Sequence, residues 1–142
     1  MMKRAKEESM LVASKRGVKA PLIVGVTVLT ALDNNDMQDI GYSNDTKEHA
    51  IKLPKLAKRA VLDGIVCAAF DIESIKKACG DDFILVVPGI RPQGIDSGDQ
   101  KRIMTPEQAI EKGADYLVIG RPITQAQNQR EMAKQISLSL DK

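Results

Sequence analysis

The sequence has few of the residues that build metal centres or stacking surfaces. Its 142 residues include one histidine, two cysteines, no tryptophan and only 3% aromatic residues. Because His49 has no cysteine or histidine near it at ligand spacing, we expect no metal site. The scarcity of aromatic rings also leaves no stacking platform for single-stranded nucleic acid. These absences favour chemistry on a small molecule.

Strong charge and long apolar runs are lacking too. The 21 lysines and arginines nearly balance 19 aspartates and glutamates, and a net charge of +2 is too small to indicate a nucleic-acid partner. No apolar run approaches the length of a membrane span, and no signal peptide opens the chain. We therefore expect a cytoplasmic protein without a membrane partner, in which Cys67 and Cys79 are free, buried thiols.

The common catalytic motifs are missing as well. The sequence contains no Gly-x-Gly-x-x-Gly, no P-loop, no nucleophile elbow and no paired carboxylates with an obvious acid–base partner. Asp96 and Asp99 could serve as bases. Lys101 and Arg102 follow them closely, however, and this pattern is more typical of surface charges.

Four short apolar runs are each followed by a longer stretch with helical signals. They are rich in β-branched residues, which is typical of strands buried on both faces of a parallel sheet. The runs cover residues 22–29, 64–69, 83–87 and 116–119. A charged helix over residues 1–16 is predicted before them, and an amphipathic helix over residues 127–140 after them.

Local signals mark three of the connecting helices. Asp71 is placed to cap a helix, with Gly80 as its left-handed stop. Thr105 is followed by proline and, three residues later, by Gln108, which predicts a capping box. A third helix, between the first two runs, contains Pro54 and is expected to kink or to break in two there.

One helix followed by four strand–helix units predicts an α/β architecture with right-handed crossovers. Two closed forms compete, a doubly wound sheet and a (β/α)8 barrel. A self-contained doubly wound sheet would normally have a fifth strand, whereas four units are half of a barrel, which usually needs about 250 residues. No repeat, low-complexity tract or linker divides the chain, so residues 1–142 are expected to form one structural unit.

The connection after the third run is unusually long and basic. It extends from Pro88 to Thr105, whereas such loops typically have about 2–6 residues. Arg91, Gln100, Lys101 and Arg102 offer donors for an anionic ligand. A solvated surface loop without a binding role would have the same composition.

A Gly-Arg-Pro sequence follows the fourth run. Gly120 lets an anion approach backbone N–H groups, and Arg121 can bind two phosphate oxygens at once. In barrels, phosphate sites are commonly built from the loops after strands seven and eight. If these are the last two strands of a barrel, both basic loops lie where a phosphate should bind.

Several of these segments resemble bacterial orotidine 5′-phosphate decarboxylases, and the resemblance covers essentially the whole chain. Val-Val-Pro-Gly-Ile-Arg-Pro at 86–92 and Gly-Asp-Gln-Lys-Arg-Ile-Met-Thr-Pro at 98–106 resemble that family's phosphate lid. Tyr-Leu-Val-Ile-Gly-Arg-Pro-Ile-Thr at 116–124 is similar to its final strand and phosphate loop. Residues 26–30 and 62–67 are similar to its fifth and sixth strands.

The resemblance implies a (β/α)8 barrel, of which this chain is the C-terminal part, from helix four to the eighth strand and helix. The family converts orotidine monophosphate to UMP and CO2 without a metal or an organic cofactor. It acts as a homodimer, because an aspartate of one subunit enters the site of the other.

The resemblance also implies roles for six residues. Arg121 and the Gly120 backbone would hold the 5′-phosphate, with Arg91 framing the site. On the pyrimidine side the residues would be Thr30, Pro88 in the pocket wall, and Gln100, which reaches from the closed lid to the phosphate and the pyrimidine.

The family's catalytic array is expected upstream of this chain. That array follows the pattern Asp-x-Lys-x-x-Asp, which Asp45-Thr46-Lys47 begins but Ala50 does not complete. A fragment, a split or mis-started gene, or a deliberately shortened chain would each explain this, and the 142 residues alone are expected to be inactive. Two alternatives are a non-catalytic half-barrel that associates with itself or with a missing N-terminal half, and a related barrel enzyme acting on sugar phosphates.

Overall fold

The computed structural model describes residues 1–28, 32–42, 46–93 and 104–140. The strands are β1 (Val24–Val26), β2 (Gly64–Val66), β3 (Ile84–Val87) and β4 (Tyr116–Leu117). The helices are α1 (Met2–Arg16), α2 (Asn34–Asp39), α3 (Thr46–Arg59), α4 (Ile72–Cys79), α5 (Pro106–Glu111), α6 (Arg121–Thr124) and α7 (Gln129–Leu140), with a 3₁₀ turn at Ala69–Asp71.

The four strands form one parallel sheet in the order of the sequence, β1-β2-β3-β4. A doubly wound sheet reverses its direction of winding at a switch point, where strand order departs from sequence order. This sheet adds each new strand on the same side as the last. The α/β class is confirmed, and the winding is that of a barrel.

The two faces of the sheet differ in burial. Ile65 and Leu85 are in register and fully buried against the helices. Residues in register have side chains on the same face, and the next residue along each strand points to the other. That other face carries Val26, Val66, Val86 and Tyr116 in register, and we call it the open face. Its side chains at the two outer strands are more than half exposed.

An aspartate just before β2 fastens α1 to the sheet. The Asp63 carboxylate accepts a hydrogen bond from the backbone N–H of Ile23 at 2.7 Å. It also forms an ion pair with Lys6 of α1 at 2.6 Å. Burial is the largest single influence on the pKa of Asp63 and acts to raise it. The hydrogen bond from the Ile23 N–H, with the hydrogen bond and charge of Lys6, together outweigh burial and lower the pKa below its ordinary value. The carboxylate therefore joins α1, β1 and β2.

Asp115, just before β4, joins β4 to β3 and to α4 in a similar way. Its carboxylate accepts from the backbone N–H of Leu85 at 2.8 Å and from Lys76 of α4 at 3.0 Å. Its own N–H donates to the Leu85 carbonyl at 3.1 Å. Strands β2 and β4 are thus each joined to neighbouring elements by the aspartate that directly precedes them.

The capping box of α5 is confirmed. The Gln108 N–H donates to Thr105 Oγ1, and the Thr105 N–H donates to Gln108 Oε1, both at 3.3 Å. The prediction for α4 was right in extent and wrong in detail. The Asp71 side chain makes no capping hydrogen bond to α4, and Gly80 has φ 87° and ψ 160°, which is not a left-handed helical stop.

Of the two outcomes predicted for Pro54, a kink or a break, the break does not occur. Helix α3 is continuous over 14 residues with Pro54 inside it and almost fully buried. Proline removes only one helical hydrogen bond, and packing of the amphipathic α3 on α4 and the sheet stabilises the remainder.

Three short elements were not predicted, namely α2, α6 and the 3₁₀ turn, and the strands are shorter than the apolar runs. A signal for α2 was present in the sequence. Asp33 accepts from the N–H groups of Asn35 and Asp36, and Asp36 accepts from the Asp33 N–H at 2.8 Å, which completes a capping box.

Candidate binding site at the strand ends

The segment that leaves β3 is tied to the segment that enters α5. Ile90 forms a parallel bridge with Met104, and the Arg91 N–H donates to the Met104 carbonyl at 3.0 Å. Ile90 is fully buried and Met104 is nearly so. The two ends of the long basic connection are therefore held together, although residues 94–103 between them lie outside the described part of the chain.

Arg91 is buried at this junction, with only 7% of its surface exposed. Its Nη1 donates to the carbonyl of Ile90 at 2.9 Å. Burying a guanidinium is costly unless it is hydrogen-bonded, and the bond to Ile90 satisfies one of its donors. The sequence indicated a cationic loop residue here but not its burial.

The end of β4 lies beside the end of β3. The Val118 N–H donates to the Val87 carbonyl at 2.9 Å, which extends the pairing beyond the last residue of β4. Gly120 is the N-cap of α6, and its carbonyl accepts from the N–H groups of Ile123 and Thr124. Arg121 is the first residue of α6 and is half-buried.

Packing does not explain the glycine at position 120. A Cβ added there would meet no heavy atom of the described residues within 4 Å. The space beside the Gly120 backbone is therefore open, as the approach of an anion would require.

Four of the six predicted site residues lie in the described chain, at the C-terminal ends of two neighbouring strands. Pro88 and Arg91 follow β3, and Gly120 and Arg121 follow β4. Two arginines that follow neighbouring strands of a parallel sheet suit a phosphate, because a guanidinium can donate bidentately. Thr30 and Gln100 lie outside the described residues.

The thiols do not add a nucleophile to this edge. Cys67 and Cys79 are free and buried, as predicted. Burial, with a smaller contribution from the Asp71 carboxylate, raises the pKa of Cys67 to about 12, so its thiol stays protonated at neutral pH.

Metal-binding and membrane-spanning features are absent from the described residues. In this part of the chain, no three histidine, cysteine, aspartate or glutamate side chains lie together in an arrangement that could hold a metal ion. Over the same ranges, no helix has both the length and the apolar character that crossing a membrane requires.

Comparison with known sequences bears directly on this site. Residues 1–136 match the family described as "Orotidine 5'-phosphate decarboxylase / HUMPS family". The orotidine 5′-phosphate decarboxylases of Haemophilus ducreyi and Actinobacillus pleuropneumoniae serotype 5b are each 52% identical to this chain over 134 residues. The match covers 94% of this chain and 58% of each relative, so the chain spans less than two thirds of their length.

Solved structures agree. The crystal structure of orotidine 5′-phosphate decarboxylase from Lactobacillus acidophilus superposes with a TM-score of 0.83 at 29% identity, covering 100% of this chain and 58% of that one. The enzyme from Pyrococcus horikoshii OT3 superposes with a TM-score of 0.63 over 93% of this chain, and at 21% identity it supports the fold alone. The chain therefore belongs to the orotidine 5′-phosphate decarboxylase / HUMPS family, and its four parallel strands have the architecture of half of a (β/α)8 barrel.

Proposed function

We propose that the protein functions in the decarboxylation of orotidine 5′-phosphate to UMP and CO2, in pyrimidine synthesis. In this proposal residues 1–142 are one partial barrel domain that carries the phosphate- and pyrimidine-binding strand ends. The observation that carries it is the placement of Arg91 and Arg121 at the C-terminal ends of adjacent strands β3 and β4. The 52% identity to two decarboxylases supports the same assignment.

Phosphate binding is assigned to the end of β4. The Arg121 guanidinium and the Gly120 backbone bind the 5′-phosphate, and the open space at Gly120 allows close approach. The buried Arg91 frames the site from β3 and brings a positive charge to it. Binding energy from a phosphate remote from the reacting carbon can orient the substrate and drive closure of a loop over it.

The pyrimidine side is assigned to three residues. Pro88, directly after β3, forms part of the pocket wall. Thr30 and Gln100, which lie outside the described residues, complete it from the β1 side and from the long connection. No cofactor is proposed. The intact enzyme is proposed to be a cytoplasmic homodimer.

The binding proposal is tested by calorimetric titration of the purified chain with UMP. Saturable binding is expected, with a loss of at least tenfold in affinity in Arg121→Ala because a charge-assisted phosphate contact is removed. Arg130→Ala is the matched control, since Arg130 is an exposed arginine on α7. Equal affinities in the two variants, or no binding by a folded chain, would remove the phosphate role of Arg121.

A second prediction is that the 142-residue chain alone forms no UMP from orotidine monophosphate. The lysine and aspartates that the family pattern requires do not occur in its sequence at the required spacing. Without a proton donor, phosphate binding has no chemical step to assist. The measurement is UMP formation by the purified chain, and turnover that copurifies with the chain through successive columns would contradict the prediction.

A further inference from the structure

Two peptide groups are hydrogen-bonded to each other where the segment after β3 meets the segment before α5. The first peptide group lies between Ile90 and Arg91, and the second lies between Met104 and Thr105. The Arg91 N–H of the first donates to the Met104 carbonyl of the second at 3.0 Å. A peptide group is planar and rigid, so a bond at its carbonyl and a bond at its N–H constrain the same unit.

The outer ends of these two peptide groups are bonded to side chains. The Ile90 carbonyl accepts from Nη1 of Arg91 at 2.9 Å. At the opposite end, the Thr105 N–H donates to Oε1 of Gln108 at 3.3 Å, as one half of the α5 capping box. Three hydrogen bonds therefore lead from the Gln108 side chain, through two peptide groups, to the Arg91 guanidinium. We call this arrangement the hydrogen-bond series.

The hydrogen-bond series runs from the surface into the interior. Gln108 is exposed, whereas Ile90 is fully buried and only 7% of the Arg91 surface is exposed. A hydrogen bond is electrostatically stronger in a buried environment than in water, and bonds in a row polarise one another. A change at the exposed end is therefore expected to weaken the two buried bonds that follow it.

Helix α5 is held to the core by residues other than Gln108. Pro106 and Ala109 are fully buried, and Ala109 is part of the main apolar cluster. The Gln108 side chain contributes a hydrogen-bond acceptor on the exposed side of the same turn. Its contribution to the hydrogen-bond series can therefore be removed without removing the apolar contacts that attach α5.

We propose that Gln108 is a positioning residue, which orients the Arg91 guanidinium through the hydrogen-bond series. The inference rests on the proposed function, in which Arg91 frames the phosphate site. Charge-assisted hydrogen bonds to a phosphate depend on the direction of the donor, so the orientation of the guanidinium affects how well it binds. Gln108 acts on this site through the backbone and without touching the ligand.

Calorimetric titration of the 142-residue chain with UMP tests the effect on the site. Gln108→Ala removes the acceptor of one hydrogen bond, and we expect it to weaken UMP binding about fivefold. Gln108→Glu keeps an acceptor oxygen in the capping box, so its affinity should stay within about twofold of the parent chain. Equal affinities for UMP in Gln108→Ala and the parent chain would overturn the inference.

Glu111→Gly is the matched control. Glu111 is an exposed residue at the end of α5, and its replacement by glycine lowers the helix propensity without changing the hydrogen-bond series. This variant should bind UMP like the parent chain. If it loses as much affinity as Gln108→Ala, the effect comes from the stability of α5, and Gln108 has no positioning role.

A double-mutant cycle shows whether Gln108 acts through Arg91. Arg91→Met removes the guanidinium and keeps an unbranched side chain in the buried position. Gln108→Ala should then cause no further loss of UMP affinity, because the group that it positions is absent. A loss of the same size with and without the Arg91 guanidinium would overturn the inference.

Nuclear magnetic resonance of the free chain tests the hydrogen-bond series with Arg91 in place and no ligand present. The resonances of the Arg91 backbone amide and guanidinium should move in Gln108→Ala. They should remain close to their parent positions in Gln108→Glu and Glu111→Gly. Arg91 resonances that do not respond to Gln108→Ala would overturn the inference, whatever the result with UMP.

The two measurements separate this inference from the proposed function. If the Arg91 resonances respond to Gln108→Ala but the parent chain binds no UMP, the positioning role is retained and the result counts against the proposed function. If UMP binding is lost in Arg121→Ala but unchanged in Gln108→Ala, the proposed function is retained and the positioning role is overturned.

Discussion

At the residue scale, four helices end in the same hydrogen-bonded turn. The N–H of the residue after the turn donates to a carbonyl five residues back, as in Leu62 to Ala57 after α3 and Val18 to Ala13 after α1. This is the Schellman arrangement, and it requires one residue with positive φ. That residue is glycine in three cases and a β-branched valine in the fourth: Gly17, Gly41, Gly113 and Val61.

Replacing Val61 by glycine is therefore expected to stabilise the chain. Val61 has φ 61°, which costs a residue with a Cβ roughly 1–2 kcal/mol. The added freedom of glycine in the unfolded state takes back about 0.5–1 kcal/mol. Because Val61 is 67% exposed, little packing is lost, and a net gain of up to about 1 kcal/mol is expected.

Urea unfolding at pH 7 measures this effect. Val61→Ala is the control, since it keeps a Cβ in the same backbone conformation and should gain much less. If Val61→Gly is no more stable than Val61→Ala, the positive φ is not a source of strain.

At the scale of elements, the attachment of α1 depends on the ionisation of Asp63. The folded-state pKa of Asp63 lies below its ordinary value of 3.8, so its contribution to stability is present above that pH and is lost as the pH falls through the folded pKa. Asp63→Asn is expected to cost about 1–3 kcal/mol at pH 7, where it removes a charged partner from Lys6 and Ile23.

The difference in unfolding free energy between the parent chain and Asp63→Asn should shrink as the pH drops below about 3.8. Urea titrations at pH 7 and at a series of pH values below 4 measure it. Asp82→Asn is the control, since Asp82 is an exposed residue. A difference that stays constant with pH would show that the charge of Asp63 does not hold α1.

Elements with short-range signals could be predicted, and those fixed by distant contacts could not. The Thr105 capping box lies within four residues of sequence, so it was found, whereas the equivalent box at Asp33 was overlooked. The continuity of α3 through Pro54 depends on packing against other elements, which no local rule includes. The apolar runs predicted where the strands lie. Only part of each run is paired with a neighbouring strand, so each strand is shorter than its run.

At the scale of the whole molecule, the candidate site depends both on local sequence patterns and on contacts between residues that are distant in the sequence. The positions of Gly120 and Arg121 at a strand end follow from a four-residue pattern. The burial of Arg91 follows from the contact of residues 90–91 with Met104, which is more than ten residues away in the sequence. Composition could therefore indicate a basic connection, while a buried guanidinium at its base became evident only from the fold.

The open sheet also predicts an uneven stability across the molecule. Ile65 of β2 and Leu85 of β3 are fully buried between neighbouring strands and helices, whereas β1 and β4 are edge strands with more than half-exposed side chains. Regions with few buried contacts open at lower free energy than the core. In the chain alone, amide hydrogens of β2 and β3 are therefore expected to exchange only on global unfolding, and those of β1 and β4 at least tenfold faster.

Native-state hydrogen exchange read by NMR measures these rates residue by residue. Tyr116 and Leu117 should be the most informative, because β4 is only two residues long and its pairing partner β3 is central. If all four strands already exchange at the same rate in the isolated chain, its edges are covered without a partner, and the sheet is not the open half of a barrel in solution.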